Sequence, residues 1–389
     1  MSRGPAPRIR VGLALACAGL AAGCGAQTAT VAVTRPLAVT ASLSTSLTTA
    51  QGTWAIAVMG GSAASHDNFW QLFVRRANTG RWSLVTPEGV ADNGGLVAAA
   101  GNGSLVVGFR PSQELAYSPL ATSTDAGLNW TPGLLDAALA DTPGAIAVGP
   151  SGRTLALLQD GTIEAAPTAD DAAAGQWVPL ATLTALAASA PGRSCGLKDM
   201  TAVSFGPDQN PIAAGSCGRP GAAGVFTDAG GTWRSAGLTL PGNGPGIGTV
   251  RVLGLTAIPG GNAALLATGD SLLAAWWDGT RWTVSAPVTA DGVRALGFGP
   301  GGSAWLLLGG GRAETITGTA GSTWRALPPV PAGTKVLAPP GTGTLAPGTG
   351  GSYDALAVSG SRLTVWRLAR GAWGKVQQIS VPVQYGSSG

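Results

Sequence analysis

After residue 24 the chain keeps no apolar face at helical spacing. Short apolar runs are broken by glycine- and proline-rich turns, the pattern of β-strands joined by tight connections. One turn returns in phase. Glycine followed two or three residues later by tryptophan ends the segments ANTGRW (Trp82), DAGLNW (Trp130), AAGQW (Trp177), DAGGTW (Trp233), WDGTRW (Trp282), TAGSTW (Trp324) and ARGAW (Trp373). Successive tryptophans stand 48, 47, 56, 49, 42 and 49 residues apart. A second marker keeps the same phase: an apolar run that closes on proline or glycine. It reads IAVGPSG from Ile146, VSFGPDQ from Val203, LTAIPGG from Leu255, LGFGPGG from Leu296 and VLAPPGTG from Val336. Another apolar run follows each, then a third, then the glycine turn, and tryptophan opens a fourth. Each period therefore holds four short strands.

A unit of this size cannot bury its faces alone and must stack on its neighbours. Four strands per unit and seven units predict an all-β chain, a seven-bladed β-propeller of four-stranded blades. Small residues crowd the first strands, as in VAAAG and AIAVG, which fits the narrow space near a propeller axis. The first unit shows TWAIAVMG, FWQLFVRR and WSLVTPEG but no clear first strand. Part of residues 29–47 is the candidate for it. Otherwise residues 24–50, rich in Thr, Ser and Ala, read as a tether, and residues 51–389 as the propeller. Hydrophobic residues make up 45% of the chain and tryptophan occurs 13 times, enough for a sizeable core and against a disordered chain.

The first 23 residues change the reading of charge. Arg3, Arg8 and Arg10 precede VGLALACAGLAA (residues 11–22), an apolar run too short to span a bilayer as an ordinary helix, which marks an export signal. The run ends in LAAGCGAQ, where Gly23 and Cys24 resemble the bacterial lipobox. The leucine usual three places before the cysteine is Ala21 here, with Leu20 one place early. The resemblance implies cleavage before Cys24 and a diacylglycerol on its sulfur, palmitate being the expected acyl chain. Two chains suffice for stable attachment, here to the outer face of the cytoplasmic membrane in the cell envelope. Without the signal, 20 cations face 19 acids, so the sequence pI of 9.1 reflects mainly the signal. No electrostatic footprint for nucleic acid remains.

The segment STDAGLNW is similar to the Asp-box, or BNR repeat, with the pattern S-x-D-x-G-x-x-W carried by Ser123, Asp125, Gly127 and Trp130. Asp228, Gly230 and Trp233 match it with Phe226 in the serine place; Gly321 and Trp324 keep the end of the pattern, with Thr319 for the acid. In WDGTRW the acid, Asp278, comes one place late. The resemblance implies a sialidase-like propeller with the box on the turn between third and fourth strands. The chemistry favours a structural role. A short carboxylate accepts from the amides of a tight turn, glycine permits positive φ, and tryptophan buries a large ring. A calcium loop needs alternating oxygen ligands, and no glutamate follows Asp125.

Cys195 and Cys217 remain once the signal and Cys24 are set aside. In an exported chain such a pair is expected as a disulfide; a zinc site would need partners, and the single histidine, His66, is distant in sequence. Both cysteines fall on the face of the second-to-third turns and blade-to-blade connections. The candidate binding residues there are His66, Asp67, Trp70, Arg110, Glu114, Tyr117, Arg193, Lys198, Asp199, Arg219 and Arg312. No metal site, cofactor or catalytic residue is expected, and a monomeric domain is. The leading expectation is a non-catalytic, lipid-anchored scaffold for an envelope protein. The alternatives are a glycan reader, with Trp70 and Tyr117 as its aromatics, or a sialidase-like exo-glycosidase. The sialidase family uses a Tyr–Glu pair, for which Tyr117 with Glu114 is the candidate, but its early Arg-Ile-Pro motif is lacking.

Overall fold

The computed structural model describes residues 45–48, 52–60, 68–77, 79–87, 95–99, 105–109, 120–125, 127–132, 143–240, 248–290, 292–318, 321–339 and 352–381, all within one compact unit, Pro36–Gly389. Their strands form seven separate antiparallel sheets, each built from four consecutive strands in chain order. The first holds Thr45–Thr48, Gly52–Gly60, Asn68–Arg76 and Trp82–Leu84. The second holds Gly95–Ala99, Leu105–Phe109, Leu120–Ser123 and Thr131–Pro132. The third holds Ala145–Val148, Thr154–Leu157, Ile163–Ala166 and Val178–Ala181. The fourth holds Ala202–Phe205, Pro211–Ser216, Ala222–Asp228 and Trp233–Ser235. The fifth holds Val250–Ile258, Gly261–Thr268, Ser271–Trp277 and Trp282–Val284. The sixth holds Ala295–Phe298, Ala304–Leu307, Ala313–Ile316 and Arg325–Ala326. The seventh holds Thr334–Ala338, Asp354–Ser359, Arg362–Ala369 and Ala372–Ser380. In the fourth and fifth, Leu238–Thr239 and Val288–Thr289 add a further pairing to the third strand. The arrangement is consistent with a β-propeller. Thr45–Thr48 supplies the first strand that the sequence left open, so a part of residues 24–50 belongs to the sheets.

Each sheet buries both faces, which is why its strands read as continuous apolar runs instead of alternating ones. Leu72 packs with Leu105 and Val107 between the first and second sheets. Leu120 meets Ala166 and Ala169 between the second and third, and Ile163 meets Phe205 between the third and fourth. Val225 meets Val252, and Leu265 meets Leu306, at the next two junctions. A single larger core joins Trp305 of the sixth sheet, Leu356 of the seventh and Phe73 of the first.

The glycine–tryptophan turn links third to fourth strand in every sheet, and each tryptophan packs into the core shared with the preceding sheet. The indole of Trp282 donates to the Ala236 carbonyl at 2.7 Å, and that of Trp373 to the Pro328 carbonyl at 3.1 Å. A buried indole N–H gains from such an acceptor, which those of Trp130 and Trp324 lack.

The junction of first and seventh sheets is polar at its heart. Asp354 is fully buried and accepts from Arg75 at 2.5 Å, from the Trp82 indole at 2.8 Å and from Arg367 at 2.8 and 3.0 Å. Arg75, 8% exposed, also donates to the Thr53 hydroxyl and the Pro339 carbonyl, and lies over the Trp82 ring. The hydrogen bond to Asp354 raises the Arg367 guanidinium above its ordinary pKa. Gln377 completes the clasp by accepting from the Trp82 N–H at 2.9 Å and donating to the Trp82 carbonyl at 2.7 Å.

Three short helices depart from the purely β reading: α1 (Ala169–Ala173), α2 (Leu183–Ala188) and α3 (Ala190–Cys195). Each starts behind a hydroxyl cap, Thr168, Thr182 or Ser189, whose oxygen accepts a main-chain N–H of the first turn. Helices of five or six residues are too short to show a period. The pair α2 and α3 fills the longest interval between tryptophans, the 56 residues from Trp177 to Trp233.

Candidate functional site

On the face of second-to-third turns and sheet-to-sheet connections, α3 carries Arg193 and Cys195 toward the fourth sheet. Cys195 is bonded to Cys217 with Cα atoms 5.3 Å apart. Asp199 accepts from the Ser216 N–H at 2.8 Å and from the Ser216 hydroxyl, so its carboxylate fastens the connection to the end of a strand. Around this fastening Lys198 and Arg219 are exposed, and Arg193 is exposed with its guanidinium on the Ala188 carbonyl. The N–H of Arg219 donates to the Cys195 carbonyl at 3.3 Å. Arg312 stands 3.8 Å from buried Glu314 and donates to the Thr289 carbonyl, bridging the sixth sheet to the fifth.

The structure thus brings Arg193, Lys198, Asp199 and Arg219 together around the disulfide, and sets Arg312 two sheets away. Trp70 requires a correction. It is 4% exposed in the core between first and second sheets, because Asn68 already begins the strand and Trp70 lies inside it. His66, Asp67, Arg110, Glu114 and Tyr117 lie outside the described residues, as does Cys24. Arg251, Arg294, Lys335 and Arg362 were missed by the sequence reading although they share this face. Each stands at or beside the first residue of a strand, where a charge before an apolar run was the available signal.

The opposite face carries the acidic turns. Asp125 accepts the N–H groups of Leu128 and Asn129 at 3.0 and 2.9 Å and the Asn129 side-chain amide at 2.6 Å. The Ser123 hydroxyl donates to Asp125 and accepts from the Gly127 N–H. These bonds, Asn129 foremost, hold the Asp125 carboxyl below its usual range. Asp278 accepts the N–H groups of Arg281 and Thr280 and the Thr280 hydroxyl, which lowers its pKa to about 2. Asp228 accepts from the Gly231 N–H at 2.7 Å. Gly127 takes φ +77°, and a Cβ placed there would stand 3.2 Å from Trp54 and Val85, a tight fit on top of the strained backbone. Trp130 and Trp233 pack into the cores shared with the preceding sheets, while Gly230 sits in open space. Each of these carboxylates is bonded within its own turn, and among the described residues no cluster of three or more His, Cys, Asp or Glu stands ready for a metal. Burial pushes the Tyr353 phenol up to about 12, away from any nucleophilic use near neutral pH.

Against this geometry, solved structures give the fold. The chain resembles a crystal structure of a protein from Lactobacillus plantarum with TM-score 0.50 and 13% identity, over 84% of this chain and 96% of that one. A putative 6-phosphogluconolactonase from Bacteroides uniformis gives TM-score 0.49 and 14% identity, over 84% and 97%. YCF48 bound to D1 peptide gives 0.46 and 14%, over 82% and 89%. The likeness is to β-propellers. No family model matches the chain, and no curated protein does. Identities this low carry the fold alone, so the face must be read from its own residues.

Proposed function

We propose that the chain is a non-catalytic, lipid-anchored, seven-bladed β-propeller of the bacterial cell envelope. It presents the face of its second-to-third turns and blade-to-blade connections to a protein partner. The first and seventh sheets share a core and a polar clasp, which supports a closed ring with one sheet per blade. The acidic turns act as Asp-box fastenings of that ring. The anchor is Cys24, after the signal of residues 1–23.

The observation that carries the scaffold reading is the contrast between the two faces. On one, the carboxylates of Asp125 and Asp278 are committed to their own turns. On the other, a connection locked by Cys195–Cys217 and by Asp199 on Ser216 holds Lys198 and Arg219 exposed on a rigid base. Pre-organised side chains on a fixed frame lower the ordering cost of binding. Trp70, one of the two aromatics expected of a glycan reader, is in the core and is not offered to a sugar.

The test uses the full-length chain, tagged at its C-terminus, cross-linked in bacterial membranes and purified in detergent. Specific protein partners should be captured, and lost when Lys198→Glu and Arg219→Glu are combined. Selective binding to a glycan array with no protein partner would overturn the scaffold. Cys24→Ala should move the protein to the soluble fraction; retention on membranes would refute the anchor.

A further inference from the structure

We infer that the part of this face contributed by the fourth to seventh sheets is an electrostatic docking surface for an acidic peptide segment of the partner. The inference rests on the scaffold reading and names the chemistry of its partner. Three cations enter where first strands begin: Arg251 is the second residue of its strand, Arg294 immediately precedes its strand, and Lys335 is again the second. Three more stand at the connections on the same side: Lys198 before the fourth sheet, Arg219 in its second-to-third turn, and Arg362 opening the third strand of the seventh.

Contacts between sheets place these ends side by side. Thr201, just before the first strand of the fourth sheet, donates to the Val252 carbonyl at 2.6 Å in the first strand of the fifth. The Gly221 N–H, in the turn with Arg219, donates to the Gly248 carbonyl at 3.1 Å just ahead of Arg251. Arg312 reaches from the sixth sheet to the Thr289 carbonyl of the fifth. At the far ends of their strands, Gly299 lies against Pro339, so the first strands of the sixth and seventh sheets run the same way.

The acids of this region do not balance these cations. Asp199 is committed to Ser216, and Glu314 is buried beside Arg312. Asp270 is exposed, and Asp291 lies outside the described residues. Among the described residues, none of the six cations is in an ion pair; on the opposite side Arg281 and Arg367 are paired with Asp278 and Asp354, while Arg153, Arg234 and Arg325 are in no ion pair and serve as the comparison. Uncompensated like charges raise the local potential and attract an anionic segment. Four of the six are arginines, whose planar fork grips carboxylates in pairs. The exposed large apolar side chains among the described residues, Leu128, Val178 and Val376, all lie elsewhere, so the surface lacks the apolar wedge of a bilayer-binding face.

The full-length chain in detergent is titrated with fluorescent poly-L-glutamate. Binding should weaken steeply with salt, and Arg251→Gln/Arg294→Gln/Lys335→Gln should lower affinity about tenfold or more. The charge-matched variant Arg153→Gln/Arg234→Gln/Arg325→Gln, on the opposite side, should change it less than about twofold. Equal losses in the two variants, or no binding at low salt, overturn the inference. So does binding of phosphatidylglycerol vesicles or polyphosphate in place of the peptide. If the triple variant still captures the membrane partner, the docking surface fails and the scaffold stands; if the unaltered chain captures none, the scaffold itself fails.

Discussion

Replacing Asp354 tests how the first and last sheets are held together. The carboxylate is fully buried and accepts four hydrogen bonds, three of them from arginines. Removing it leaves Arg75, itself 8% exposed, as an uncompensated buried charge. Breaking one side of such a pair costs about 3–5 kcal/mol. The unfolding entropy of a unit the size of Pro36–Gly389 is about 0.7 kcal/mol/K at ~2.1 cal/mol/K per residue. Asp354→Leu should therefore lower Tm by about 4–7 °C. Arg75→Met alone should also destabilise, by leaving Asp354 short of a partner although Arg367 still holds it. The double variant should recover much of the loss, because an apolar pair of similar volume no longer buries an unpaired charge. Differential scanning calorimetry supplies Tm, and hydrogen exchange locates the change. Protection should fall in residues 45–84 and 334–380 before it falls in the third to fifth sheets. Additive losses in the double variant, or a Tm within about 1 °C of the parent in Asp354→Leu, would refute the coupling.

The acidic turns make a pH prediction. Asp278 has a folded pKa near 2 against 3.8 for the free group, so its contribution is present above about pH 4 and is lost as pH falls toward 2. Asp278→Asn should flatten Tm over that window, and an unchanged slope would count against the hydrogen bonds to Thr280 and Arg281 as the cause. Gly127 and Gly321 hold the same place in their turns, both at φ +77°, but a Cβ added at Gly127 would meet Trp54 and Val85 at 3.2 Å, whereas one at Gly321 would meet nothing within 4 Å. Each alanine variant should lose about 1 kcal/mol from the backbone, with Gly127→Ala losing about 1–3 kcal/mol more from overpacking; equal losses by denaturant titration would refute the packing argument. Cys195 and Cys217 close a loop with a sequence separation of 22, for which chain entropy gives about 3 kcal/mol. Cys195→Ser/Cys217→Ser should lower Tm accordingly, and free thiols at both positions in the parent protein by peptide mapping would remove the premise.

The sequence made the repeat legible because two unrelated turns kept one phase. VSFGPDQ lies between the first and second strands of its sheet, and DAGGTW between the third and fourth, as the pattern required. The first strand of the first sheet was left open because Thr45–Thr48 is polar at three of its four positions and resembles the Ser- and Thr-rich stretch before it. Trp70 was misplaced for a different reason. It stands second in FWQLFVRR, already read as a strand, but was counted with the loop before it, whereas both faces of that strand are covered. The basic residues at strand starts gave no loop signal: Arg251 and Lys335 stand just before the apolar runs from Leu255 and Val336, not in a long polar connection.

The clasp was also hidden, yet two of its three charged members had a readable signature. Arg75 interrupts the apolar run FWQLFV, and Asp354 opens DALAV; a charge placed in a strand with both faces covered calls for a partner. Why the charges gather at this junction follows from connectivity. Every sheet is made from one contiguous stretch, so no strand of the seventh sheet enters the first. Successive sheets are tied by short connections, but Arg75 and Asp354 are 279 residues apart. Loop-closure entropy grows with the logarithm of length, and closing that span costs about 3 kcal/mol more than closing a connection of about ten residues. The junction thus starts at a disadvantage comparable to what the clasp is expected to contribute. If that is the reason for the clasp, joining residue 381 to residue 45 by a short linker and opening the chain between the third and fourth sheets should make Asp354→Leu less harmful, and should move the sensitivity to the newly unlinked junction.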